Sequence, residues 1–263
     1  MILLKPNMNS RLIFTFASIL FLTGCSFFGG DKDTKKLVAE GLTPKELYEQ
    51  AEDKIDSGLI EQAIDQYEMI LASYPGSKYA IQARLDIAFN LLKQKKYNRA
   101  IIELNQFIEK YPNIPATPYA YYLRGVVAEK KSSSILDKLV TDSAQRDVES
   151  VSDAYKYFVE LIDSFPNSKY SEDAKAKLIS LRNTLARHEF YVALYYTDIK
   201  SNIAAINRCK FIIENYPNSA SIPDALHLMA YNYDLINADQ LATDSRKVLF
   251  SSYPNYSPNY SIK

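Results

Sequence analysis

Cysteine and histidine, the side chains most readily used as nucleophile, metal ligand or general base near neutral pH, are scarce in this 263-residue chain. There are two cysteines, Cys25 and Cys209, and two histidines, His188 and His227. Neither histidine has a second ligand at the spacing of a metal motif. The seven glycines form no phosphate-cradling loop, and no paired-carboxylate or His-centred constellation stands out. The chain therefore reads as a non-enzyme with no cofactor other than a lipid. Cys25 is the exception among these residues. It follows "LIFTFASILFLTG", residues 12–24, thirteen residues without a charge. A thiol at the edge of such a run is placed for acylation at a membrane surface. Cys209 falls within a helical apolar set and reads as a small core hydrophobe. With Cys25 lipidated, Cys209 has no disulfide partner. His188, in "LARHEF", reads as a partner-facing or surface residue, and His227 as a helix-surface residue.

The flanks of Cys25 support this chemistry. Lys5 and Arg11 precede the apolar run, which is well short of the about 20 residues a membrane-spanning helix needs. Basic flank, short apolar core and small residues before a break read as a secretory signal over residues 1–24. Met8 could serve as the start as well as Met1, since Arg11 still precedes the core. Leu22-Thr23-Gly24-Cys25 resembles the bacterial lipobox, which implies cleavage before Cys25 and acylation of its sulfur and its new amine. Two or more acyl chains, at about 0.8 kcal/mol per buried methylene, anchor far better than one. Ser26 follows; in the sorting rule of enteric bacteria, a residue other than Asp there implies the outer membrane. Removing residues 1–24 leaves 29 basic and 31 acidic residues, a formal charge of −2. That balance gives no reason to expect nucleic acid. Residues 25–42 are charged, aperiodic and contain Gly, and read as a flexible tether.

The elements that would position any binding residue come from a repeat. An aromatic followed by proline recurs at Tyr74, Tyr111, Phe165, Tyr216 and Tyr253, with spacings of 37, 54, 51 and 37. Eleven residues before each stands an alanine: Ala63, Ala100, Ala154, Ala205 and Ala242. Between alanine and aromatic the apolar positions keep helical spacing, as in Ala63, Ile64, Tyr67, Ile70, Leu71 and Tyr74. Proline after the aromatic stops each helix. Twelve residues before four of the alanines sit Ala51, Ala88, Ala193 and Ala230, small enough for two antiparallel helices to approach closely. The pattern resembles the tetratricopeptide repeat, lengthened to 37 residues, and predicts an all-α solenoid of five helix pairs. The third copy carries 17 extra residues and the fourth 14. Fourteen residues are close to four helical turns, so the fourth insertion can lengthen a helix without rotating its faces. One helix from about 171 to 199 follows. The third insertion, around "KKSSSILDKLVTDSAQRD", reads as a helix extension plus a loop. Solenoids bind on the face lined by first helices. The cluster "YAYYLRG", residues 119–125, exceeds what the repeat requires and is the best aromatic surface candidate.

Lipobox, tether and five such repeats together resemble the BamD family, lipoproteins of the bacterial β-barrel assembly machinery. The local matches are "YAYYLRG", "QRD" at 145–147, "LRNTLARHEFYVALYY" on the long helix and "AAINR" at 204–208. The resemblance implies an outer-membrane lipoprotein facing the periplasm. It implies N-terminal repeats, residues 43–135, that form a groove for the C-terminal targeting segments of unfolded outer-membrane β-barrel proteins. Residues 136–263 would dock on the periplasmic domain of BamA and on other lipoproteins of the complex. It places Tyr74, Tyr121 and Tyr122 with client binding, and Arg208 and His188 with partner binding. Two other readings stay open at this level: a pilotin-like tetratricopeptide lipoprotein that assists secretin or pilus assembly, and a regulator of a cell-wall enzyme.

Overall fold

A repeating alanine can close two helices on each other only if it is buried, and all of these are. Ala51, Ala63, Ala88, Ala100, Ala154, Ala193, Ala205, Ala230 and Ala242 are at most 1% exposed in the computed structural model, which describes residues 41–133 and 148–262. The described residues form ten helices and no strand: α1 (Pro44–Asp56), α2 (Ile60–Ser73), α3 (Lys78–Lys93), α4 (Tyr97–Lys110), α5 (Thr117–Ser132), α6 (Val148–Ser164), α7 (Ser171–Asp198), α8 (Asn202–Asn215), α9 (Ile222–Leu235) and α10 (Asp239–Ser252). They make five helix pairs, and the fold is the all-α tetratricopeptide solenoid that the spacing predicts. The signal segment, Cys25 and Ser26, most of the tether, and residues 134–147 with "QRD" lie outside the described residues. Among the described residues no helix is long and apolar enough to cross a membrane.

Two local devices repeat with the helices. Each second helix ends one residue before its aromatic, which is the C-cap: Tyr74, Tyr111, Tyr216 and Tyr253 have φ between −135 and −125° and ψ between 53 and 69°. Proline acts here through the residue before it, which it drives out of the helical region. The turn is then closed by a backbone bond from the third residue on, Ser77 to Tyr74, Ser168 to Phe165 and Ser219 to Tyr216, at 3.0–3.1 Å. The other device lies between the helices of a pair. Gly58, Lys95, Lys200 and Asn237 each stand five residues before the repeat alanine and take φ of 75, 61, 61 and 57°. After each, an N–H reaches back to the carbonyl five residues earlier, as Leu59 to Lys54 (2.8 Å) and Lys96 to Leu91 (2.8 Å). This is the Schellman closure of a helix. Glycine takes the left-handed conformation freely; lysine at two of the four sites is held there by the fold.

The chain divides into two compact units, one ending at Tyr79 and one beginning at Ala80. In the first, α1 starts on a capping box: Thr43 accepts from the Glu46 N–H, and Glu46 accepts from the Thr43 N–H at 2.7 Å. Tyr67, fully buried, bonds Glu52, and buried Gln66 bonds Lys54 and Gln50. In the second unit two clusters of apolar side chains share α7. Ala174, Leu181 and Leu185 pack with Phe158, Leu161 and Ala128. From Ala186 onward, with Phe190 and Ala193, the helix packs with Cys209, Ile212, Leu228 and Leu249. The 28-residue α7 is thus one lengthened first helix whose two halves serve the two clusters. It contains no Gly or Pro, and the extra four turns leave its apolar face in register.

Candidate functional site

In the first unit, the Tyr74 ring is half-buried and its hydroxyl donates to the Leu42 carbonyl at 2.8 Å. Tyr74 therefore pins the chain just ahead of α1 to the end of α2. The last tether residue is held rather than free.

In the second unit, "YAYYLRG" lies on α5 where it meets α6 and α7. The Tyr121 ring packs edge-on against Phe165 (5.4 Å between centroids), and Tyr122 stacks on Tyr170 (5.2 Å) while its hydroxyl donates to Asp173 (2.7 Å). Burial first, then that hydrogen bond, pushes the Tyr122 phenol well above its ordinary range, so it stays a donor. Arg124, 8% exposed, organises the cluster. Its guanidinium lies over the rings of Tyr157 (4.2 Å) and Tyr121 (5.0 Å), donates to Asn105 (2.9 Å) and pairs with Glu160. Gly125 lets the helices meet: a Cβ there would stand 2.5 Å from Phe158 Cε1. The excess aromatics, read as surface candidates, are thus half-buried packing residues.

On α7 and α8 the structure brings together Arg208 and Glu189, with Nη1 2.9 Å from Oε2. Arg208, placed with partner binding by the family resemblance, is paired within the chain. It is 42% exposed against 16% for Glu189. Arg208 also lines an open depression of about 320 Å³ with Tyr196, Ala204, Asn207 and Phe211. Nearby on the chain, Tyr195, Ile199 and Ile203 are more than half exposed, an apolar rim at the α7–α8 turn. His188 is half-buried on α7 beside Glu189 in sequence. Upstream, Arg182 donates to the Asn218 carbonyl (3.1 Å) and Asn183 accepts from the Ala220 N–H (3.1 Å). "LRN" thus fastens the long helix to the turn after α8, which explains part of the motif without a ligand. Buried Asn232 donates to Thr197 (2.8 Å) and ties α9 to α7. Cys209 is fully buried, as its place in the apolar set predicts, and burial pushes its thiol up to about 12.

A helix-solenoid with an arginine–carboxylate pair beside an exposed apolar rim can dock a partner surface. Among the described residues no three His, Cys, Asp or Glu side chains are grouped to hold a metal ion. The family model described as an outer membrane lipoprotein, YfiO, matches residues 40–249. The outer membrane protein assembly factor BamD of Neisseria gonorrhoeae is 34% identical over 93% of this chain and 91% of its own. That of Xylella fastidiosa is 31% identical over 93% of this chain and 82% of its own. The chain belongs to the BamD family. Haemophilus influenzae BamD is 30% identical over 86% of this chain and 84% of its own. Among solved structures, MamA aligns with 84% of this chain and 99% of its own at 15% identity and TM-score 0.34. YrrB, a tetratricopeptide protein, aligns with 85% and 93% at 12% identity and TM-score 0.35.

The residues that sequence reasoning missed in this BamD-family chain are Arg124, Glu189 and the tail tyrosines Tyr256 and Tyr260. His227, read as a surface residue, is half-buried, with its Nδ1 2.7 Å from the Tyr260 hydroxyl. Arg124 lay within a quoted motif, where a charge among tyrosines was the available signal. The tail tyrosines gave only "YPNYSPNY", which the repeat rule absorbed as one more aromatic-proline turn.

Proposed function

We propose that the chain is a lipid-anchored, non-enzymatic scaffold of outer-membrane protein assembly. Cys25 carries the lipid and holds the folded body at the periplasmic face of the outer membrane. The α7–α8 face, with Arg208, His188 and the apolar rim at Tyr195, Ile199 and Ile203, docks on the periplasmic domain of BamA, and other lipoproteins of the complex join there. The first repeat, at Tyr74, receives C-terminal segments of unfolded β-barrel proteins, and Tyr121 and Tyr122, in the second unit, also serve client binding. The observation that carries this reading is the family match, which spans residues 40–249 and so nearly the whole folded body. The arginine–carboxylate pair supports the docking face, because a guanidinium fork can exchange one carboxylate for another and lysine cannot reproduce its geometry. Affinity purification of the lipidated chain from membranes in mild detergent tests it. BamA should co-purify from wild type and be reduced from Arg208→Leu, and Cys25→Ser should move the chain to the soluble fraction. Recovery of a secretin or a cell-wall synthase instead of BamA would overturn it.

A further inference from the structure

The tail after α10 does more than end the last helix pair. A segment that only closed that pair would touch α9 and α10. Here the Tyr260 ring crosses α9 and packs edge-on against Phe190 of α7, 4.9 Å between centroids. Phe190 is itself only 5% exposed. The tail therefore runs across the first helices of repeats four and five, the face on which solenoids hold peptides. Its two tyrosine hydroxyls converge on one place on α9. Tyr256 donates to Asp224 Oδ1 at 2.6 Å, and the Tyr260 hydroxyl lies 2.7 Å from His227 Nδ1 and 3.5 Å from the Asp224 carbonyl. The His227 ring meets both tyrosine rings, 5.7 Å from Tyr256 and 5.9 Å from Tyr260 between centroids. Burial lowers the His227 pKa and raises that of Tyr256, where the Asp224 bond adds to the effect, so a neutral imidazole meets protonated phenols.

The way the tail is attached matters as much as where it lies. One backbone bond, Tyr256 N–H to Tyr253 C=O at 3.0 Å, closes its first turn. Beyond it, residues 257–262 take part in no backbone–backbone hydrogen bond among the described residues. Tyr256, Tyr260 and Ile262 are the half-buried anchors, and Ser257, Pro258, Asn259 and Ser261 are exposed. A segment held by side chains alone opens locally at low cost. We propose that Phe190, Asp224 and His227 form a recognition site for a peptide segment of a partner protein that presents tyrosines. The chain's own residues 253–262 fill this site as a displaceable intramolecular ligand. A carboxylate that accepts from one phenol and an imidazole nitrogen that pairs with the other select tyrosine over phenylalanine, because phenylalanine leaves them unpaired.

The test uses the full chain and a fluorescein-labelled peptide of residues 253–263 as probe. The tail competes for the site, so parent affinity is scaled down by the fraction of time the tail is off. Removing the tail's anchors with Tyr256→Ala/Tyr260→Ala should tighten peptide binding by about tenfold or more. Hydrogen exchange at the Tyr256 amide, whose N–H is bonded to the Tyr253 carbonyl, should speed up in the same variant. Adding Phe190→Ala or Asp224→Asn to the opened chain should remove the gain, with the melting curve recorded for each variant. A probe with phenylalanine at both tyrosine positions should bind about tenfold more weakly than the tyrosine probe. Tyr74→Ala should leave this binding unchanged, which separates the site from the client reading of the first repeat. Equal peptide affinity in parent and opened chains, or unchanged exchange at that amide, would overturn the proposal. So would a parent dimer that exchanges tails between copies.

Discussion

Replacing Gly125 with alanine sets helix propensity against packing, and the structure decides which prevails. In a helix interior, Gly→Ala is worth about 1 kcal/mol in favour of the variant. At this position the new Cβ would stand 2.5 Å from Cε1 and 2.8 Å from both Cδ1 and Cζ of Phe158. Ordinary carbon contacts begin near 3.5 Å, so the ring would have to retreat by about 1 Å. It has little room, because Phe158 is fully buried in the cluster with Ala128, Val151, Leu161 and Leu181. Overpacking of this kind costs roughly 1–3 kcal/mol and occasionally more. With three ring atoms in conflict the upper part of that range applies, and the net loss is about 2 kcal/mol. For a body of this size that lowers Tm by about 4–8 °C. Thermal melts of Gly125→Ala, Phe158→Leu and the double variant form the assay. In the Phe158→Leu background the same alanine should cost less than about 0.5 kcal/mol or stabilise, giving a coupling energy of at least about 1 kcal/mol. A raised Tm for Gly125→Ala alone would refute the close approach of α5 and α6.

Three further outcomes follow from the same geometry. Arg208→Leu removes a half-exposed ion pair and should cost about 1 kcal/mol or less of stability by denaturation, while affinity for the BamA periplasmic domain, by titration, falls at least about tenfold if the pair is desolvated on docking; equal affinity would remove Arg208 from the docking face. Tyr74→Phe removes only the bond to Leu42 and should cost about 1 kcal/mol, with faster hydrogen exchange ahead of α1; crosslinking to a C-terminal barrel peptide that falls for Tyr74→Ala but not for Tyr74→Phe would assign the ring, and not the hydroxyl, to client binding. Cys209 should resist thiol reagents in the native chain at neutral pH and react on unfolding, because it is fully buried and its thiolate is disfavoured; native labelling at the rate of a free thiol would place it outside the core.

Much of the fold is legible in the sequence because each repeat states its own packing. Alanines at a fixed distance from an aromatic-proline pair mark where two helices touch, and local helical spacing is enough to find both. The single helix α7, Ser171–Asp198, follows from a count of residues, since an insertion close to four whole turns preserves the buried face. Cys209 was placed in the core by the same periodicity. What the repeat could not express is contact between residues far apart in sequence. Arg208 beside Glu189, Arg124 between two tyrosines and Gly125 against Phe158 each depend on the separation of two helices, which periodicity does not encode. The left-handed lysines at 95 and 200 were hidden because local propensity argues against them; pairing of the flanking helices holds them there. The tail was the least legible of all. Its tyrosines follow no period, and only the folded α7 and α9 bring Phe190, Asp224 and His227 to one place where they can be met. Helices are fixed by neighbours within four residues, so sequence alone determined them; the sites join side chains 19 to 70 residues apart, and only tertiary packing decides those.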